Sequence, residues 1–285
     1  MSQSLVGSRF DLHVTRKGQT EAKTGHDYLA ILPGDVEEVV EEKDIVGYFH
    51  SWEVGTTVDG PGIRLVAFLT GCLLRCQYCH NPDTWHKYNG HAVPFSRAML
   101  QIRKYANVLK MSGGGITLSG GEPMLQRGFM NRVFRECKAI GLHTCVETSG
   151  RLGGQLSDED IRNIDLVILD MKGGDAALAE RVTKQPLEPS LEFGRRLSTL
   201  GRPLWIRFVL VPGLTDGKDN VEGVAAFAAS LKTVERVEVL PFHQMGHDKW
   251  KKLGLDYALA DALPPEPALV ERVRDQFRSR GLTVY

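Results

Sequence analysis

Three thiols fall within eight residues of the stretch Gly71-Cys72-Leu73-Leu74-Arg75-Cys76-Gln77-Tyr78-Cys79-His80, spaced C-x3-C-x2-C. Ligands this close together, directly after an apolar run of strand length, converge on one point. Their number decides the chemistry. A closed structural zinc site or a closed iron–sulfur cluster takes four protein ligands, whereas a reactive centre leaves one position open. The other cysteines, Cys137 and Cys145, are distant and single. The spacing points to a [4Fe–4S] cluster on Cys72, Cys76 and Cys79, with one iron free for a small molecule. A zinc site completed by His80 is the alternative, weakened because His80 directly follows Cys79 and paired ligands ordinarily have two or more residues between them. A disulfide framework suits short secreted chains. Chance clustering sits badly with 5 cysteines in 285 residues.

Such a centre needs a regular scaffold. Residues 63–70 are almost continuously apolar, as expected of a strand buried on both faces, and 45–54 reads as a short strand before a turn-rich loop at 56–62. Ser96 is the expected N-cap of a helix with Met99, Ile102, Ala106 and Leu109 on one face, ended by Gly113-Gly114-Gly115. A strand over 116–119 follows, and Glu122-Pro123 opens a helix with Leu125, Phe129, Val133, Cys137 and Ile140 inward. Further strands are expected at 144–148, 166–170, 205–211 and 237–240, with helices near 158–164, 187–200, 221–231 and 265–280. Six β-then-α units predict a parallel sheet, because each parallel crossover needs a covering helix. No G-x-G-x-x-G loop follows the first strand, which argues against a dinucleotide-binding sheet. A barrel-like arrangement of fewer than eight units fits better.

Barrel enzymes place their chemistry at the C-terminal ends of the strands. The thiols follow the first strand of the series and Gly120-Gly121-Glu122 the second. Glu147 and Thr148 close the third, Asp170 and Lys172 the fourth; Arg207 lies in the fifth and His243 just after the sixth. Burying that many charges at scattered positions costs on the order of several kcal/mol each. One shared polar cavity facing the thiols is the economical reading. Glu147, Thr148 and Asp170 together make an oxygen-rich pocket suited to a hard cation. An exposed strand-end pair without metal is the plainer alternative. Asp59-Gly60-Pro61-Gly62 is a preset loop before the first of these strands, and Cys137 and Cys145 read as small core residues.

The bulk numbers set limits. With 35 basic and 35 acidic residues the formal net charge is zero, which gives no electrostatic footprint for nucleic acid or an anionic membrane. No apolar stretch approaches the ~18 residues of a membrane span, and no signal pattern opens the chain. A cytoplasmic, reducing compartment is expected. Residues 1–44 are polar and end in an acidic run, so a flexible N-terminal extension is expected there, followed by one catalytic domain over 45–285.

The C-x3-C-x2-C motif with an aromatic before its last cysteine, followed by Ser119-Gly120-Gly121-Glu122-Pro123, resembles the radical S-adenosylmethionine superfamily. Five further motifs resemble the activating enzymes of pyruvate formate-lyase, in that family's order from about residue 45 onward. They are Thr57-Val58-Asp59-Gly60-Pro61-Gly62-Ile63-Arg64, Tyr78-Cys79-His80-Asn81, Leu169-Asp170-Met171-Lys172, Trp205-Ile206-Arg207 and Leu240-Pro241-Phe242-His243.

The resemblance implies an α/β fold, an incomplete (β/α)6 TIM-like barrel, holding a [4Fe–4S] cluster and S-adenosylmethionine. It implies that Gly120 and Gly121 lie along the cofactor's amino group while Glu122 shapes the turn. Tyr78 and His80 would face the adenine or the substrate. Asp170, Met171, Lys172, Arg207 and His243 would hold the cofactor, Lys172 and His243 at its carboxylate and its ribose or adenine edge. A monovalent cation would sit at Glu147, Thr148 and Asp170, with Glu147 standing where the related enzyme has the shorter aspartate. Asp59 would meet the glycine loop of a protein substrate. The implied reaction is reductive cleavage of S-adenosylmethionine to a 5′-deoxyadenosyl radical, which takes a hydrogen from a backbone glycine of pyruvate formate-lyase. A flavodoxin-like electron donor is also implied. Activases of other glycyl-radical enzymes often carry a ferredoxin-like insert, and residues 81–119 contain no cysteine. A radical enzyme acting on a small molecule, an iron–sulfur electron carrier and a zinc-binding interaction module are the remaining rivals.

Overall fold

A computed structural model describes residues 44–56 and 58–285, together with the backbone of Arg9–Phe10. The extension expected over 1–44 lies, apart from those two residues and Asp44, outside the described residues. In chain order the elements are β1 (Arg9–Phe10), β2 (Val46–Thr56), β3 (Arg64–Leu69), β4 (His91–Pro94), α1 (Phe95–Met111), β5 (Gly115–Gly120), α2 (Arg127–Ala139), β6 (His143–Thr148), α3 (Asp158–Arg162) and β7 (Leu166–Asp170). Then come α4 (Ala176–Thr183), α5 (Glu188–Thr199), β8 (Leu204–Leu210), α6 (Lys218–Ser230), β9 (Val234–Pro241), α7 (His247–Lys252) and α8 (Pro267–Ser279).

All strands join one sheet in the order β1-β2-β3-β5-β6-β7-β8-β9, with β4 paired to β2. From β3 to β9 every neighbouring pair is parallel, which gives six parallel strands in sequence order. The sheet does not close on itself. One end is completed by the antiparallel β2, and the β9 edge is covered by the last residues of the chain, where Val239 N donates to Tyr285 O at 3.1 Å. The structure is thus an incomplete barrel with its helices outside.

Strand parity sorts the side chains. Residues two apart share a face, so Thr117 and Ser119, Cys145 and Glu147, Ile168 and Asp170, Trp205 and Arg207 point to the same side of their strands. Cys145, Ile168 and Trp205 form a small apolar cluster at one level, and the polar residues follow at the next. The opposite parity, including Leu118, Val146, Leu169 and Ile206, belongs to the main core under the helices. Strands buried this completely explain the continuous apolar runs.

Two boundaries differ from expectation. Helix α1 starts at Phe95 with Pro94 at its N-cap, and Ser96 does not cap it. Instead Asp44 accepts from the Ser96 amide at 3.2 Å and from its hydroxyl at 2.5 Å, so an acid from outside the helix does the capping. Glu122-Pro123 opens a 3-10 turn over Pro123–Gln126 before α2 begins. The short helices α4 and α7 are additional to those expected.

Candidate active site

The cysteine loop is irregular, and its backbone is fastened at several points. Gly71 N donates to Thr84 O at 2.6 Å, Cys72 N to Trp85 O at 3.0 Å, Arg75 N to Thr183 O at 2.7 Å and Gln77 N to Val182 O at 3.1 Å. Arg75 Nη1 donates to the carbonyls of Cys72 and Leu74, both at 2.8 Å. Across it runs the turn after β5, where Gly121 N donates to Leu69 O at 2.8 Å and Glu122 N to Gly71 O at 2.7 Å. A Cβ at Gly120 would lie 2.3 Å from Leu69 O, and one at Gly121 2.3 Å from Gly71 O. The glycine pair is therefore required by the crossing of two chain segments, and it also lines the cavity beyond.

That cavity measures about 310 Å³, within the range of small-molecule sites. All three thiols line it and none is in a disulfide. Burial, with a neighbouring thiol adding to it, pushes Cys72 and Cys76 up to about 12 and Cys79 up to about 11. Three such groups become thiolates together only beside a cation.

The facing wall is ionic. Lys172 Nζ lies 3.0 Å from Asp170 Oδ2. Burial works against the Lys172 ammonium but Asp170 outweighs it and holds the pKa well above its ordinary value, while burial pushes the Asp170 carboxyl up against the pull of Lys172. Arg207 is a hub. It donates to Glu147, to Glu238 Oε2 at 2.8 Å and 3.1 Å, to Asp59 Oδ1 at 3.5 Å and to the Val58 carbonyl. Burial opposes its charge, yet Glu147, then Asp170, Glu238 and Asp59, raise its pKa well above the usual value. Burial likewise opposes ionisation of Glu147, and Arg207 with Ser119, whose hydroxyl donates at 2.5 Å, brings its carboxyl below the ordinary range.

Tyr78, His80 and His243 also line the cavity. The rings of His80 and His243 lie 4.2 Å apart, and burial followed by the charge of His243 pushes His80 down to about 4. Tyr78 Oη and His243 Nδ1 are buried without a hydrogen-bond partner in the described structure. Buried polar atoms of this kind are ordinarily satisfied. Thiols in want of a cation, orphaned polar atoms and an ionic wall around one cavity fit a cluster with a polar small molecule beside it.

Some expected residues sit elsewhere. Met171 faces the main core, 1% exposed, and does not line the cavity. Glu122 is buried behind the wall, where it accepts from Ser149 Oγ at 2.6 Å, Thr148 Oγ at 2.7 Å, Ser149 N at 3.1 Å and Met124 N at 3.3 Å. Burial raises its carboxyl against those donors. The Thr148 hydroxyl is thus turned to Glu122, away from Glu147 and Asp170. Asp59 reaches the site from the loop before β3 and meets Arg207. Sequence reasoning did not single out Glu238 or Trp85. The first hides in the alternating acids and bases of β9, and the second reads as ordinary packing.

Residues 58–180 match the family described as a 4Fe-4S single cluster domain. The chain is 43% identical over 240 residues to a pyruvate formate-lyase-activating enzyme of Staphylococcus epidermidis, covering 81% of this chain and 94% of that relative. Among solved structures, a domain of a pyruvate-formate lyase-activating enzyme from Bacteroides vulgatus superposes with a TM-score of 0.51 at 26% identity, covering 60% of this chain and 98% of that one. A radical SAM methyltransferase from Sphaerobacter thermophilus shares the fold, with a TM-score of 0.54 at 18% identity over 82% of this chain and 72% of that one. No helix among the described residues is long and apolar enough to cross a membrane.

Proposed function

The chain belongs to the pyruvate formate-lyase-activating enzyme family, and we propose that it holds a [4Fe–4S] cluster on Cys72, Cys76 and Cys79 beside S-adenosylmethionine, and activates pyruvate formate-lyase by taking a hydrogen atom from a backbone glycine. The observation that carries this reading is the convergence of three unpaired thiols and an ionic wall on one cavity. Reduced by one electron and bound together, the two groups supply a 5′-deoxyadenosyl radical able to take an unactivated hydrogen.

The chain's own residues position and shield. Lys172 and Arg207 present cations to a carboxylate. Gly120 and Gly121 leave the backbone bare where the amino group would lie. Tyr78 Oη and His243 Nδ1 offer free polar atoms, and the His80 ring lies tilted against that of His243. Phe68, Leu74, Val209 and Leu240 on the cavity wall exclude water. Asp59, tied to Arg207, links the site to the loop that would meet the protein substrate. A monovalent cation is supported by the neighbouring carboxylates of Glu147 and Asp170. To enter, it would have to loosen the Glu147–Arg207 contact. A flavodoxin-like donor, a cytoplasmic setting and a catalytic domain over 45–285 preceded by an N-terminal extension complete the proposal.

The test is anaerobic. Reconstituted and reduced protein is incubated with S-adenosylmethionine and pyruvate formate-lyase deuterated at glycine. The expected products are methionine, deuterated 5′-deoxyadenosine and a glycyl radical seen by electron paramagnetic resonance. Methionine release with neither deuterium transfer nor a glycyl radical assigns the site to another substrate, and no methionine release removes the reading altogether.

A further inference from the structure

Alternate residues of the cysteine loop face two sides. Cys72, Leu74, Cys76 and Tyr78 line the cavity, whereas Leu73, Arg75 and Gln77 do not. Leu73 is 40% exposed, although the residue before it bears a thiol of the cavity. The loop is therefore one residue thick at this point, with solvent on one side and the thiols on the other.

Two segments flank its outer surface. Residues 84–88 are held by the bonds from Gly71 N to Thr84 O and from Cys72 N to Trp85 O. The end of α4 is held by the bonds from Arg75 N to Thr183 O and from Gln77 N to Val182 O, and by Gln77 Nε2, 3.1 Å from Arg181 O. Residues 71–77, 84–88 and 181–184 contain Arg75, Lys87, Arg181 and Lys184 but no aspartate or glutamate, in a chain with equal totals of basic and acidic residues. Arg181 and Lys184 are exposed. Of the nearest acids in sequence, Glu180 precedes Arg181 on α4, and Asp83 Oδ2 lies 3.0 Å from both His50 Nε2 and Lys249 Nζ. The Lys87 ammonium lies 5.1 Å from the Tyr48 ring centroid and 5.8 Å from that of Tyr88, which is 75% exposed. Leucine and tyrosine ringed by cations make a surface for an acidic protein.

The chemistry of the preceding section takes one electron per cofactor cleaved, while the cavity holds the cofactor and the substrate's glycine. The electron must then come through the wall, and transfer falls off steeply with distance. Resting on the cluster and the donor of the preceding section, we propose that the outer surface of the cysteine loop around Leu73 is where an acidic one-electron carrier protein docks. Its carboxylates meet Lys87, Arg181 and Lys184, with its redox group toward Leu73. A reduced flavoprotein loses one electron there and the cluster gains it; no bond forms or breaks and no proton is exchanged. Encounters of this kind bury little surface and are brief, so the cations act mainly on the association rate.

The test uses flavodoxin as the probe and the reconstituted full chain. Affinity for oxidised flavodoxin is read by calorimetry, and the rate of cluster reduction by reduced flavodoxin by stopped flow, both across a salt series. Arg181→Glu combined with Lys184→Glu is expected to weaken binding and slow reduction about tenfold at low salt, with the difference shrinking as salt rises. Lys87→Glu, on the opposite flank, is expected to act in the same direction by less. Iron content, and reduction by photoreduced 5-deazariboflavin, a small uncharged donor, should match the unaltered protein in both variants. If the double variant takes up less iron, Lys87→Glu gives the reading. Unaltered protein that the deazaflavin cannot reduce fails the preceding section; protein that the deazaflavin reduces but flavodoxin does not bind fails this proposal alone. Equal affinities and rates in the variants and the unaltered protein at low salt overturn it, and so does a loss seen equally with the deazaflavin.

Discussion

Cys76 is the most buried of the three thiols, 9% exposed, and nothing nearby can replace it. Cys76→Ala is expected to abolish both cluster and turnover, read as iron per chain and as methionine released; activity retained in that variant removes the ligand assignment. Arg207 tests the opposite wall. It is 6% exposed and neutralises Glu147, Glu238 and Asp59 together. Arg207→Met removes the cation that Glu147, Glu238 and Asp59 share, leaving Ser119 to Glu147 and Arg236 to Glu238, and is expected to lower unfolding stability by about 3–5 kcal/mol in urea titrations. Arg207→Lys should restore only part of it, because an ammonium cannot make the forked contacts of a guanidinium. The thiols and the strand-end acids were legible in the sequence because their residue types are costly to bury without a purpose. Trp85 and Glu238 were not, since packing tryptophans and alternating charges look alike whether or not they touch a site. Met171 shows the limit of a motif: its neighbours Asp170 and Lys172 line the cavity, and strand parity turns it into the core.

At the level of elements, the crossing of the turn after β5 over the cysteine loop decides whether the ligands sit correctly. Gly120 has φ +111 and its missing Cβ faces Leu69 O. Gly120→Ala therefore carries both backbone strain, on the order of 1–3 kcal/mol, and a clash that pushes the loop. Its expected signature is a lower melting temperature together with reduced iron uptake. Gly128 in α2 is the control, because nothing lies within 4 Å of a Cβ built there. Gly128→Ala should stabilise by about 0.4–1 kcal/mol and leave iron content unchanged. A fall in iron uptake with Gly128→Ala, or none with Gly120→Ala, contradicts the account. The parallel strands could be read from their continuous apolar runs, and α1, α2, α5, α6 and α8 from their periodicity. Helices α4 and α7 were missed because they are too short to show a period. The cap of α1 comes from Asp44, 52 residues before Ser96. No local pattern encodes a contact at that distance.

The whole molecule divides its labour between the two ends of the barrel. Chemistry gathers at the C-terminal ends of the strands, and the N-terminal ends carry stability. There Arg64 is fully buried, with its pKa lowered by burial. It donates to Thr117 Oγ at 2.9 Å, to the Ile116 carbonyl and to His143 Nδ1 at 3.1 Å. Arginine has no acceptor, so Nδ1 must be the unprotonated nitrogen of a neutral ring. Burial and then the Arg64 charge push His143 down to about 4, against Asp165, which pulls it up. An unfolded chain takes up this proton near the ordinary value of about 6.5. Between those two values the unfolded state binds more protons than the folded one, so stability rises with pH across the interval. The contribution is complete above the unfolded value and is lost as pH falls toward about 4. His143→Gln keeps an acceptor for Arg64 and removes the titration. Urea midpoints followed from pH 4 to pH 7 should be less steeply pH-dependent in that variant than in the unaltered protein. Identical slopes would mean that the buried guanidinium and imidazole do not share the charge-sensitive contact on which the lower end of the barrel depends.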